Sequence, residues 1–121
     1  MNIAVYCAAS QSNDSTFDER TEELGNWIAK NNHTLVYGGG NTGLMGVVAT
    51  SVIKSGGEVI GVMPQFFVER EIAKKDITKL HIVETMSERK NKMIELSEVY
   101  IALPGGPGTL EEIAEVVSWV R

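Results

Sequence analysis

Residues 34–64 read TLVYGGGNTGLMGVVATSVIKSGGEVIGVMP, and the succession of residue types in this stretch sets the architecture. Thr34 to Tyr37 is a short run of apolar and β-favouring residues that stops at Gly38-Gly39-Gly40. From Gly43 to Lys54 the chain is apolar nearly all round, which suits a helix covered on both sides. Gly56-Gly57 ends that helix, and Glu58 to Met63 is a further strand closed by Pro64. Strand, helix and strand in this order predict two parallel strands joined by a right-handed crossover.

The alternation continues on either side. Ile3 to Ala9 is a buried strand, followed by a polar segment at Ser10 to Ser15. A helix is predicted from Thr16 to Asn31, with a Thr16–Glu19 capping box and an apolar face of Phe17, Leu24, Trp27 and Ile28. Gln65 to Leu80 is the least regular stretch, with a short helix near Val68 to Lys74. His81 to Glu84 is the fourth strand, Ser87 to Leu96 a helix and Val99 to Leu103 the fifth strand. A last helix is predicted from Thr109 to the terminus, with Leu110, Ile113, Ala114, Val117 and Val120 on one stripe. The expected fold is α/β, a Rossmann-like doubly wound parallel sheet of order 3-2-1-4-5 with helices on both faces. Residues 1–121 are expected to form a single nucleotide-binding domain.

Bulk properties narrow the function. The chain has 121 residues, 43% hydrophobic and 22% charged, an ordinary globular balance. A net charge of −5 argues against general nucleic-acid binding, so an anionic ligand must be held by local cations, helix ends and backbone N–H groups. The single cysteine, Cys7, excludes an internal disulfide and suits a reducing compartment. No apolar run reaches the length of a membrane span and no leader is visible, so a cytoplasmic protein without membrane partners is expected.

In an open parallel sheet, ligands bind beyond the carboxyl ends of the strands, and the unusual residues of this chain follow those ends. Ser10 follows strand one, the glycine triplet strand two, Pro64 strand three, Arg89-Lys90 strand four and Pro104-Gly105-Gly106-Pro107-Gly108 strand five. Gly38 to Gly43 holds a G-x-G-x-x-G pattern, in which Gly39 and Gly40 are candidates to face a phosphate. It follows the second strand rather than the first, and no acidic residue closes the next strand, so a dinucleotide site is not expected. The second loop places Gly105, Gly106 and Gly108 at a strand-to-helix junction, as a backbone cradle for an anion. Thr109 would open the helix, with Glu111 and Glu112 following. Thr109-x-x-Glu112 is also a capping box, and the spacing alone serves capping and catalysis equally. With Ser87 as helix cap, Arg89 and Lys90 fall in a first turn whose dipole disfavours cations by about 0.3–1 kcal/mol each. An anion sharing that site would remove the conflict, whereas the bland reading is a solvated charge pair. Cys7 reads as a small buried hydrophobe, His33 and His81 as isolated, and no cluster has metal-ligand spacing.

With these motifs in hand, the sequence resembles the LOG ("Lonely Guy") family of cytokinin-activating enzymes. Pro104 to Glu112 matches P-G-G-x-G-T-x-x-E, Met86 to Lys90 matches M-x-x-R-K, and Gly38 to Gly46 matches G-G-G-x-x-G-L-M-G. The resemblance implies hydrolysis of the N-glycosidic bond of a purine nucleoside 5′-monophosphate, AMP or an N6-modified AMP, to free base and ribose 5-phosphate. By motif position it makes Arg89 and Glu112 the catalytic pair. It gives Lys90, Gly105, Gly106, Gly108 and Thr109 to phosphate and ribose, and Glu111 and Glu71 to further substrate contacts. It implies no metal or other cofactor, and a homodimer or higher homo-oligomer. Relatives are often labelled lysine decarboxylases, but no pyridoxal-phosphate lysine motif is visible. Family members extend past the last helix, so the C-terminal part of the family fold is expected to be absent here. The rival expectation is a carrier module on the same fold, similar to molybdenum-cofactor carriers, which binds without turnover.

Overall fold

The computed structural model describes residues 1–7, 15–70 and 73–103, with side chains from residue 18 onward in the first helix. Five strands form one sheet: β1 (Asn2–Tyr6), β2 (Thr34–Tyr37), β3 (Glu58–Pro64), β4 (Lys79–Val83) and β5 (Val99–Ala102). Four helices connect them: α1 (Ser15–Lys30), α2 (Gly43–Lys54), α3 (Gln65–Glu69) and α4 (Met86–Leu96). Every strand pairing is parallel, so the Rossmann-like α/β class holds. None of the described helices is long and apolar enough to cross a membrane.

The strand order is β4-β3-β2-β1-β5, which corrects the expected 3-2-1-4-5. Among the described residues the connection from β3 to β4 holds one helix, the five-residue α3, which suits a crossover to the next strand position rather than one back past β2 and β1. Strand β4 therefore pairs directly with β3, from Ile60↔Lys79 to Pro64↔Val83. The eleven-residue α4, about 16 Å long, supplies the long crossover instead and brings β5 beside β1. The order of strands thus reverses between β1 and β5. Leu103 N–H donates to the Tyr6 carbonyl (2.8 Å), so the chain leaves β5 next to the end of β1.

Each face of the sheet has its own core. On one face α1 and α2 pack through Ile28, Ala29, Leu44, Val48, Ala49 and Val52 against Ile3, Val5, Leu35, Tyr37 and Val59. On the other, Met93 of α4 packs against Ala4, Tyr6, Val36 and Val62. Successive strand residues alternate between the two cores, as a pleated strand covered on both sides requires. Helix α2 is at least half-buried from Gly43 to Ile53, in agreement with its all-round apolar sequence.

Helix α1 turns the predicted Leu24 and Ile28 to the core but leaves Trp27 outside it. Trp27 is 51% exposed, and its ring packs against His33 with centroids 5.4 Å apart. Among the described residues of this helix, the buried ones are Thr21, Gly25, Ile28 and Ala29. At Gly25 a Cβ would lie 2.5 Å from Ser51 Cβ and 2.9 Å from the Val48 carbonyl oxygen, so only glycine permits this interhelical approach. The predicted Phe17 contact and the last helix lie outside the described residues.

Candidate functional site

The site is built where β2 and β3 end. Arg89 reaches across from α4 and is only 7% exposed. Its Nε donates to the Val62 carbonyl of β3 (3.1 Å) and its Nη2 to the Gly38 carbonyl just past β2 (2.8 Å). One planar guanidinium therefore ties two neighbouring strand ends to the helix, using its fixed fork of donors. Its Nη1 lies 3.9 Å from the Met86 sulfur. A Cβ at Gly38 would occupy the space of Arg89 Nη2 and lie 2.8 Å from Cζ, so a glycine is needed for the approach.

The placement of Arg89 along α4 also differs from expectation. The helix is capped by Thr85, not Ser87: Thr85 Oγ1 accepts from Glu88 N–H (3.1 Å). Glu88 Oε2 in turn accepts from Glu84 N–H (2.8 Å). This threonine-to-glutamate spacing makes reciprocal use of the helix start, which a serine two residues later could not do. The acid of the first turn is then Glu88, in keeping with the dipole, and Arg89 N–H makes a helical bond to the Thr85 carbonyl (3.1 Å). Carbonyl oxygens at the strand ends, rather than an anion alone, thus receive the Arg89 guanidinium. Lys90, the next residue, is half-buried.

The glycine triplet is fixed carbonyl by carbonyl. Gly38 O accepts from Arg89, Gly39 O from Lys74 N–H (2.9 Å) and Gly40 O from the Tyr37 hydroxyl (2.8 Å). Gly39 and Gly40, expected at the site, are both buried. Tyr37 is fully buried, and its phenol is pushed well above the usual range by burial and then by Cys7 and Asp76, with Arg89 opposing. Gly40 and Ala73 form an antiparallel bridge that joins the turn to the segment before β4.

Sequence reasoning did not find Lys74. It is 7% exposed, and its Nζ contacts Asp76 Oδ1 (2.9 Å) and Asn41 Oδ1 (3.3 Å). The Lys74 hydrogen bond holds the Asp76 carboxyl below its usual range. Nothing in the run Ala73-Lys74-Lys75-Asp76 distinguishes the buried lysine from the exposed one beside it. Asn41, Thr42 and Gly43 line a cavity of about 380 Å³ between α1 and α2, together with Asp18, Glu22 and Lys54.

Arg89, Lys90, Gly39 and Gly40 are therefore brought to the carboxyl edge of the sheet. Ser10, Glu71, Gly105, Gly106, Gly108, Thr109, Glu111 and Glu112 lie outside the described residues. In sequence, Pro104 follows directly on Leu103, the residue bonded to the end of β1. With the observed strand order, it is the segment after β5, not the one after β4, that is entered at the reversal point where such sheets bind ligands.

Comparison with known proteins adds to this geometry. A cytokinin riboside 5′-monophosphate phosphoribohydrolase of Arabidopsis thaliana is 41% identical over 119 residues, 98% of this chain and 55% of the relative. One from Rhodococcoides fascians is 42% identical over 119 residues, covering 98% of this chain and 60% of its own length. The chain thus spans little more than half the length of these relatives. Among solved structures, the molybdenum cofactor binding protein of Rippkaea orientalis superposes with a TM-score of 0.83 at 26% identity, covering 99% of this chain and 72% of that one. The profile of the family described as possible lysine decarboxylase matches residues 45–121, which include both the Met86–Lys90 and the Pro104–Glu112 motifs. With that match and those relatives, the chain belongs to this family, the LOG family.

Proposed function

We propose that the protein hydrolyses the N-glycosidic bond of a purine nucleoside 5′-monophosphate, releasing the free base and ribose 5-phosphate. The observation that carries this reading is Arg89, a nearly buried cation locked by Val62 O and Gly38 O at the edge where such folds bind ligands. The names of the relatives at 41–42% identity supply the chemistry.

Departure of the base builds positive charge on the ribose, as in glycoside hydrolysis. Water adds to the anomeric carbon, the carbon–nitrogen bond breaks, and the base leaves with a proton. Glu112 stabilises the developing charge and orients the water, while Arg89 fixes the nucleotide and polarises the departing base. A guanidinium already held by two backbone carbonyls needs little reorganisation when substrate arrives, which favours rate over mere affinity. Lys90, Gly105, Gly106, Gly108 and Thr109 hold phosphate and ribose, with Glu111, Glu71, Ser10, Gly39 and Gly40 completing the contacts. Binding of the remote phosphate then serves to position the reacting centre. The active form in this reading is a homodimer or higher homo-oligomer.

The likeness to a molybdenum cofactor binding protein supports a second reading, a carrier that binds and does not turn over. Chromatography of AMP and N6-isopentenyl-AMP after incubation with the protein separates the two. Release of base and ribose 5-phosphate, lost in Arg89→Ala and Glu112→Gln, is the expected result. Normal turnover by either variant would sink the assignment. Retention of nucleotide without product, unchanged in Glu112→Gln, would favour the carrier.

A further inference from the structure

We propose that Lys74 is a positioning residue of this site, holding the glycine turn in the shape that seats Arg89; the proposal rests on the nucleotide-hydrolase reading for its catalytic consequence. Lys74 holds the turn at two points. Its backbone N–H donates to Gly39 O (2.9 Å) and its ammonium to Asn41 Oδ1 (3.3 Å). Between and beside those points, Gly40 O takes the Tyr37 hydroxyl and Gly38 O takes Arg89 Nη2. The four bonds fix successive residues, so a shift at Asn41 is passed through two glycines to the carbonyl that anchors Arg89.

Stability does not account for the burial of Lys74. A lysine is almost never this enclosed unless it is paired. Its carboxylate partner, Asp76, is largely exposed, and a pair with one exposed member contributes little against the desolvation of a buried ammonium. What the arrangement does secure is orientation. An ammonium can only donate, so Asn41 must turn its Oδ1 towards Lys74 and its amide NH₂ elsewhere. Asn41 is exposed and lines the cavity at the start of α2, so the same contact also sets the face that the turn presents there.

The test combines nitrogen-15 NMR of the Arg89 Nε–H with kinetics on AMP. In the unaltered protein that N–H is held against Val62 O and should exchange slowly with solvent. Lys74→Met and Asn41→Ala should each speed its exchange at least tenfold, whereas Lys75→Met should leave it unchanged. The double variant should be no worse than Lys74→Met, because Asn41→Ala removes a contact that Lys74→Met has already removed. In turnover, Lys74→Met should lower kcat at least tenfold while KM moves less than threefold. Unchanged exchange in Lys74→Met, or additive effects in the double variant, overturns the proposal. If Lys74→Met does not fold, Asn41→Ala decides alone, since it removes the acceptor from an exposed position. A protein that releases no base refutes the hydrolase reading, and the Arg89 signal then decides the Lys74 proposal by itself.

Discussion

Replacing Gly38 by alanine tests the central contact of the site. Gly38 is not among the glycines with positive φ, so alanine brings no backbone strain. Any cost must come from the Cβ, which would meet Arg89 Nη2 and Cζ and, at 2.9 Å, Met45 Cε. The guanidinium cannot swing aside without giving up its bond to Gly38 O. A hydrogen bond from a charged donor contributes about 1.5–3 kcal/mol. Forcing an extra methyl into a packed site costs about 1–3 kcal/mol. Together these bound the loss at about 2.5–6 kcal/mol, a large part of the stability of an ordinary domain. Met45 Cε is the far end of a flexible side chain and can move at little cost. In an Arg89→Ala background, Gly38→Ala should therefore lower stability by less than about 1 kcal/mol. Urea unfolding of the four proteins gives the coupling directly. An equal loss in both backgrounds would refute the account and place the clash elsewhere.

Three further outcomes concern Tyr37, the start of α4 and His81. Tyr37→Phe leaves Gly40 O without its donor and should cost about 1–3 kcal/mol by urea unfolding. Because burial raises the phenol, the folded chain resists ionisation. The stability from that shift is present below the unfolded value of about 10 and is lost as pH rises beyond it, a loss absent in Tyr37→Phe. Thr85→Ala removes the cap of α4 and should cost about 1 kcal/mol in thermal unfolding, with no change expected for Ser87→Ala. His81 is lowered by burial and then by Lys79 and Lys92, so the unfolded chain takes up its proton first on acidification. Stability should fall as pH drops below about 6.5, and His81→Gln should flatten that slope; an unchanged slope would remove His81 as its source.

Much of the fold could be read from local signals. The bounds of β2 and α2 match their predicted ranges, because apolar runs ended by glycine leave little freedom in placing them. The strand order was not legible, since it depends on whether residues 65–78 hold a helix long enough to cross the sheet, and that charged stretch has no clear period. On α1, Leu24 and Ile28 were legible and Trp27 was misread, for a different reason. Counting large apolar residues selected Trp27, whereas the contact with α2 needs smallness at Gly25 and Ala29. At the site, Arg89 was singled out by a first-turn placement that the Thr85 cap corrects, and by its position in the Met86–Lys90 motif. Lys74 was hidden because a lysine that anchors a turn and one that faces water look alike in sequence. What differs is the partner thirty-three residues away, Asn41.

The two carbonyl acceptors that Arg89 holds at the strand ends are backbone atoms, and this shapes how the site can vary. Carbonyl groups are present whatever the side chain, so position 62 is constrained by the fit of its side chain in the core and not by hydrogen bonding. Position 38 is constrained by size alone, and only the smallest residue leaves room. Position 89 has the least latitude, because a lysine offers a compact point charge in place of a planar fork and cannot span two strand ends in the same way. A saturation library should accordingly tolerate several apolar residues at 62, one at 38 and one at 89: three positions, joined by two hydrogen bonds, that differ sharply in their freedom to change.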